Sequence, residues 1–345
     1  MKKLLTTSII ALGLSIAVPP TFANSDQNSI KVTEANYNEA ETARQFMLTQ
    51  ARAGGVNKWQ HFRKPTSTDL DKQQVVRMNR DTLYSFAIIN VKNGAKVIMP
   101  DPGDRYMSLG QVTEQHWVPR HDVGGGTFKM LSQYGDHVFV VVRTEIESDT
   151  PEEIAKVNAL QDQMKIVSGD NTPYVSPNYD EASLKATHAS LLKQFSTYEG
   201  NANWFFGLPE KFGNDAEKIH IRTMGTAIGW GGAQPEDNMY ETSANFTNFG
   251  CQEVNFKDPK DKAFWSLTVY NKDGFMFDKG NHLKDTAAIP NKDGSYTVHF
   301  GCEGMKNNMV IKNPTGAWSL TGRHYEPSEA VRDGKITIID VKPVK

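Results

Sequence analysis

The feature that most constrains this chain is that one structural unit occurs in it twice. Residues 81–109 read Asp81-Thr82-Leu83-Tyr84, then a strand-like run, then Asp101-Pro102-Gly103-Asp104-Arg105-Tyr106-Met107-Ser108-Leu109. Residues 237–267 read Asp237-Asn238-Met239-Tyr240, a similar run, then Asp258-Pro259-Lys260-Asp261-Lys262-Ala263-Phe264-Trp265-Ser266-Leu267. The interval from Tyr84 to Asp101 matches that from Tyr240 to Asp258 to within one residue. In each copy a D-P-x-D-[KR] turn leads into a strand closing on Ser-Leu. Two related β units imply a pseudo-symmetric architecture, and the cleft between the copies is the first place to look for function.

The rest of the chain fits around that repeat. Strand patterns run over 84–91, 95–99, 106–111 and 138–142, with turn signals at Asn93-Gly94 and Pro102-Gly103. Further strands are predicted over 263–270, 295–300, 318–325 and 336–341. The spacing from Val138 to Arg143 recurs from Trp318 to Arg323, so Arg323 echoes Arg143. Helical spacing appears over 37–52, 151–166, 179–198 and 215–229. The predicted fold is mainly β with an α insert: two jelly-roll-like antiparallel β-sandwich domains joined by a helical segment. The first sandwich covers 37–150, the helical bridge 151–235 and the second sandwich 236–345, with a mobile polar stretch at 24–36.

Residues 1–23 read as a secretory signal peptide. Met1-Lys2-Lys3 is a positive n-region, an apolar stretch follows, and Thr21-Phe22-Ala23 places small residues at the cleavage positions. Cleavage after Ala23 removes Lys2 and Lys3, taking the formal charge from -2 to about -4. The expected location is periplasmic or secreted, with no membrane insertion. No basic stripe is present, which argues against a nucleic-acid partner. Export permits a disulfide, and the two cysteines, Cys251 and Cys302, each follow Phe-Gly. A bridge between neighbouring strands and a pair of buried thiols are both open at this point.

The chemistry-bearing candidates fall into three groups. Arg80 could clamp an anion bidentately while Tyr84 handles a proton, with Asp81 beside them in the candidate substrate-binding set. The competing reading makes them strand-end hydrogen bonds of the scaffold, and the echo at Asp237 and Tyr240 favours it. His116, His121 and Asp122 lie in a stretch with no counterpart in the second repeat, which suits acid–base work. However, His116 and His121 are an odd number of positions apart, so an extended strand sends them to opposite faces. Arg105, Arg143, Tyr270, Asn271 and Arg323 complete a substrate-binding set. Arg105 shares its turn with Asp101 and Asp104, where an Asx-type turn is the plainer explanation. No metal site or cofactor is expected: the spacing predicts no three convergent ligands. A G-x-S-x-G elbow, an H-E-x-x-H helix, a Walker motif and a dinucleotide fingerprint are all missing from the sequence.

Arg77-Met78-Asn79-Arg80-Asp81-Thr82-Leu83-Tyr84-Ser85 and Pro100-Asp101-Pro102-Gly103-Asp104-Arg105-Tyr106 resemble the bacterial family called domain of unknown function 1254. Trp265-Ser266-Leu267-Thr268-Val269-Tyr270-Asn271-Lys272-Asp273-Gly274-Phe275 resembles its usual companion, domain of unknown function 1214, and Arg323-His324-Tyr325-Glu326-Pro327 looks like that family's ending. One departure is visible at Asn313-Pro314, where the family's usual tryptophan is missing. The resemblance implies two β-sandwich domains with a helical insertion and no settled activity. The functional expectation is a cleft for a small polar or anionic molecule, with a metal-independent hydrolase as one reading. The alternative is a non-catalytic ligand-binding or cell-envelope interaction protein. A homo-oligomer is compatible with either.

Overall fold

The computed structural model describes residues 28–73, 76–198 and 204–344, so the predicted leader lies outside the described residues. Helix α1 (Tyr37–Ala53) ends at Gly54, whose φ of 75° supplies the left-handed cap that a side chain resists. It leads into eight strands: β1 (Gln60–His61), β2 (Thr82–Asn90), β3 (Ala95–Met99), β4 (Met107–Thr113), β5 (Arg120–Val123), β6 (Gly126–Lys129), β7 (His137–Glu145) and β8 (Lys165–Ser168). They form two sheets, of order β1-β2-β7-β4-β5 and β6-β3-β8. Ala87, Ile89, Leu109, Val140 and Val142 from the first sheet pack on Val97 and Met99 from the second to make the sandwich core.

Helices α2 (Pro151–Gln163), α3 (Glu181–Phe195), α4 (Pro209–Phe212) and α5 (Ala216–Gly229) follow, with β8 between α2 and α3. The second sandwich has strands β9 (Asn238–Thr242), β10 (Gln252–Phe256), β11 (Phe264–Asn271), β12 (His282–Lys284), β13 (Tyr296–Phe300), β14 (Asn308–Met309), β15 (Trp318–Tyr325) and β16 (Lys342–Pro343), with α6 (Glu329–Arg332) between the last two. Its sheets are ordered β12-β11-β15-β9 and β14-β13-β10-β16. Trp265, Leu267, Val269, Trp318 and Leu320 face Val254, Val298 and Phe300 across its core. Cys251 and Cys302 are bridged.

The duplication extends to strand order. Reading β2-β7-β4-β5 against β9-β15-β11-β12 puts the repeat partners in the same lanes, with Arg143 and Arg323 each on the second strand.

Three expectations change. The helical segment links the sandwiches along the chain, but in space it caps the outer face of the first sheet. Phe46 of α1 and Trp230 just after α5 pack on Phe86, Ile88, Phe139 and Val141, because that face is apolar and would otherwise meet water. Residues 30–36 do not stand free: Ile30 pairs with Tyr179 and Val32 is buried against α3 and α5. The stretch 336–341 is not a strand. Ile338 and Ile339 enter the second core from an irregular segment, and the closing pairing comes later, at β16. Among the described residues no helix is long and apolar enough to cross a membrane.

Candidate functional site

Strand alternation decides which side chains meet between the sandwiches. On the first sheet, Leu109, Val140 and Val142 point inward, so Tyr84, Ser108 and Arg143 point outward. These three stand side by side across β2, β7 and β4, since Arg143 is directly paired with Tyr84 on one side and Ser108 on the other. The second sheet repeats the arrangement: Arg323 of β15 is paired with Tyr240 of β9 and Ser266 of β11, on the face away from that core. Each repeat thus presents a Tyr–Arg–Ser row, and the two outward faces meet.

The junction is held by buried polar contacts. Asp81, fully buried, accepts hydrogen bonds from Ser266 Oγ at 2.9 Å and Tyr325 Oη at 2.8 Å, and lies 3.3 Å from His282 Nε2. Lys284 pairs with Glu145 and donates to the Ile146 carbonyl. Tyr106, Phe264 and Tyr325 form a small aromatic cluster between the sandwiches.

The two arginines differ in their partners. Arg323 donates to Thr268 Oγ1 at 2.9 Å, to the Arg77 carbonyl at 2.9 Å and to Tyr270 Oη at 2.5 Å, and Tyr270 donates in turn to the Met78 carbonyl. Arg143 is only 2% exposed, yet among the described residues it has no carboxylate partner and donates no hydrogen bond; its Nε is buried without an acceptor. Its guanidinium lies 5.8 Å from the Tyr84 ring centroid, and Tyr106, Tyr240 and Tyr325 complete its surroundings. Among the described residues, two more buried polar atoms nearby have no hydrogen bond of good geometry, Ser108 Oγ and Asn238 Nδ2, although they lie close to Tyr106 and Tyr240 respectively. Buried polar groups in native proteins are nearly always paired, and a guanidinium does not shed its charge, so this cluster departs from the usual pattern.

Of the hydroxyls around Arg143, Tyr325 Oη is committed to Asp81 and Tyr106 Oη donates to Asn238 Oδ1 at 3.4 Å. Tyr84 Oη accepts from Asn79 Nδ2 at 2.6 Å, which leaves its own proton free for another acceptor. Burial pushes Tyr240 up to about 12 and Tyr106 higher still. His121, half-buried beside Tyr106 Oη at 3.4 Å, is held down at about 3 by burial and by the Arg143 charge. Asp237 lies at the rim, where burial and then Glu236 raise it to about 6 against the pull of Arg143. Gly110 lies beside Arg143, and a Cβ there would press on Val141 Cγ1 at 3.1 Å.

The other candidates named from the sequence are occupied elsewhere. Arg80 is tied to Asp149 and the Thr66 carbonyl. Arg105 holds Glu153 at 2.5 Å and the Glu145 carbonyl. Asn271 Oδ1 accepts from the Asp273 and Phe275 amides and shapes a turn. His116 is buried under Trp230, with Nδ1 on Thr226 and Nε2 accepting from the Gly231 amide, so it pins the end of α5. Asp122 pairs with Arg120 on the sheet face opposite His121. Among the described residues, no group of three or more His, Cys, Asp or Glu is placed to hold a metal ion. Tyr106, Ser108, Asn238, Tyr240 and Tyr325 were not among the predicted site residues. The repeat held the signal for three of them, because aligning its copies superposes Tyr84 on Tyr240, Ser108 on Ser266 and Tyr106 on Phe264.

Fold and site together define a class: a duplicated β-sandwich protein whose repeats meet over a buried arginine ringed by tyrosines. Residues 56–127 match the family described as protein of unknown function DUF1254, and residues 251–329 match protein of unknown function DUF1214, so the chain carries the two domains in tandem. The crystal structure of the VPA0106 protein from Vibrio parahaemolyticus is similar, with 18% identity, a TM-score of 0.69, and coverage of 90% of this chain and 98% of that one. An uncharacterized protein from Burkholderia cenocepacia is similar at 14% identity with a TM-score of 0.50, covering 86% of each chain. These likenesses establish the fold. No curated protein matches the chain.

Proposed function

We propose that this chain binds a small anionic molecule between its two sandwiches, with Arg143 as the cationic anchor and the Tyr84 and Tyr240 hydroxyls as hydrogen-bond donors. The observation that carries this reading is the burial of the Arg143 guanidinium without a protein acceptor. A buried charge left without a counter-ion costs several kcal/mol, roughly, and such a cost is retained where function needs it. Recognition fits the protonation states better than catalysis does. His121 is too weak a base at about 3, and Tyr240 too weak an acid at about 12, to exchange protons efficiently near neutral pH.

A hydrolytic reading keeps one observation in its favour, Asp237, whose acid strength of about 6 suits proton transfer. The leader read at residues 1–23 supports a site of action in the periplasm or outside the cell. The Cys251–Cys302 bridge is in keeping with an oxidising compartment.

Native mass spectrometry of the mature protein, purified without added organic acids, tests the reading. A small anionic adduct is expected on the wild type and is expected to vanish in a folded Arg143→Gln variant. An adduct retained in full by that variant would place the ligand elsewhere and overturn the assignment.

A further inference from the structure

We infer that the ligand of Arg143 is a monocarboxylate, bound once per chain. The inference rests on the binding reading above and names the ligand class of that site. It follows from three observations, of which the first is internal to the molecule.

The chain carries the same Tyr–Arg–Ser row twice, and in the second copy it fills the row with its own atoms. Arg323 receives a planar carbonyl oxygen, that of Arg77, together with the Tyr270 hydroxyl. The segment delivering that carbonyl is held there by Tyr270 on the Met78 carbonyl and by the Arg77 amide on the Gly274 carbonyl. Arg77 itself sits at φ 56°, a backbone conformation that non-glycine residues rarely adopt, so local preference does not explain the placement. One copy therefore displays acceptors this row accommodates: an sp² oxygen and the Tyr270 hydroxyl on Nη2, with the Thr268 hydroxyl on Nη1. The equivalent sp² acceptor at Arg143 must come from outside the chain, and a carboxylate is the charged form of that acceptor.

The second observation is the balance of charge. Arg143 offers one positive charge. Lys284 is neutralised by Glu145, and Arg323 lies in the field of Asp81. The rim carries Asp237 and Glu236, with Glu326 close enough to raise Asp237. Lys211, bonded to the Phe206 carbonyl, is a cation within reach of Asp237; even so, a dianion such as phosphate would set its second charge against three rim carboxylates. A monoanion matches the site.

The third is the lining. The Tyr84 and Tyr240 hydroxyls supply neutral donors, since Tyr325 is committed to Asp81 and Tyr106 to Asn238, and the rings of Tyr84, Tyr106 and Tyr325 add flat apolar surface. Such walls suit a carboxylate carried on a flat or apolar body.

The test is isothermal titration calorimetry of the full mature protein with acetate, benzoate and inorganic phosphate. Benzoate and acetate are expected to bind at one per chain, with benzoate tighter and phosphate at least tenfold weaker than acetate. Arg143→Lys is expected to weaken both carboxylates by tenfold or more, because an ammonium cannot reproduce the planar fork. Tyr240→Phe keeps the ring, and should weaken them several-fold; it serves where the arginine variant fails to fold. Phosphate binding more tightly than either carboxylate, with the same dependence on Arg143, would overturn the carboxylate assignment and leave the anion site standing. Binding of all three that ignores both substitutions, or no binding of any, would overturn both.

Discussion

Tyr325 reaches across the junction between the sandwiches and donates its buried hydroxyl to Asp81 Oδ2 at 2.8 Å. The same oxygen accepts from Ser266, so one carboxylate of the first repeat gathers two strands of the second. Asp81 stands just before β2, three residues ahead of Tyr84, and the aspartate that orients the junction is thereby tied to the row that carries Arg143.

Replacing Asp81 with alanine strands both hydroxyls in a dry interface. A buried hydrogen bond to a charged group contributes about 1.5–3 kcal/mol, and unsatisfied donors add their desolvation cost. The expected loss is roughly 3–5 kcal/mol. Chemical denaturation should show it, and a change of less than about 1 kcal/mol would mean that the aromatic cluster alone holds the sandwiches together.

Arg143 should behave in the opposite sense. Removing a buried charge that has no counter-ion relieves a penalty, so Arg143→Met is expected to raise stability by about 1–3 kcal/mol while ending anion binding. Thermal melts of the two proteins without ligand make the comparison. A destabilised Arg143→Met would show that the guanidinium is paired in solution within the protein itself.

How far the sequence foretold this arrangement depends on which contacts are local. Strands 95–99 and 318–325 were legible to the residue, because buried alternating or fully apolar runs flanked by turn residues leave few alternatives. The pairing of Arg143 with Arg323 was legible as spacing. What the sequence did not disclose was partnership. Arg80, in the specific N-R-D string, looks like the anion clamp until Asp149 is seen to occupy it. Arg143, in a plain Val-rich strand, looks like a strand end until its neighbours prove to be tyrosines from four different segments. Those neighbours come from sheet stacking, and no local spacing encodes which face of one sandwich meets the other. The fate of 336–341 has the same origin: its isoleucines satisfy the core without a strand because the neighbouring lane goes to β16.

The proposed anion binding is expected to be sensitive to pH through Asp237. Its carboxyl titrates at about 6 in the folded protein, raised by burial and by Glu236. Below that value it is neutral; above it, it places a negative charge in the field of Arg143 and competes with the ligand. Affinity for acetate is therefore expected to fall several-fold as pH rises from 5 to 7.5. His121 stays neutral throughout that window, since it gains its proton only near 3. Calorimetry of Asp237→Asn at both pH values should lose the dependence, and an unchanged slope would remove Asp237 from the site.

His324 supplies a separate pH signature, in stability. Its imidazole is fully buried between Asp261 at 2.6 Å and Glu241 at 2.9 Å, and these two carboxylates outweigh burial to hold its pKa at about 9, against 6.5 for an ordinary histidine. A raised pKa means that the folded state binds the proton more tightly. The stabilisation is then fully present below pH 6.5 and is lost as pH rises through about 9. A shift of this size corresponds to something on the order of 3 kcal/mol. Wild-type stability should therefore decline between pH 6.5 and 9.5, and the His324→Gln variant, less stable at pH 6, should show a nearly flat profile over the same interval. Parallel profiles for the two proteins would mean that the ring is already neutral, with the proton held by one of the acids.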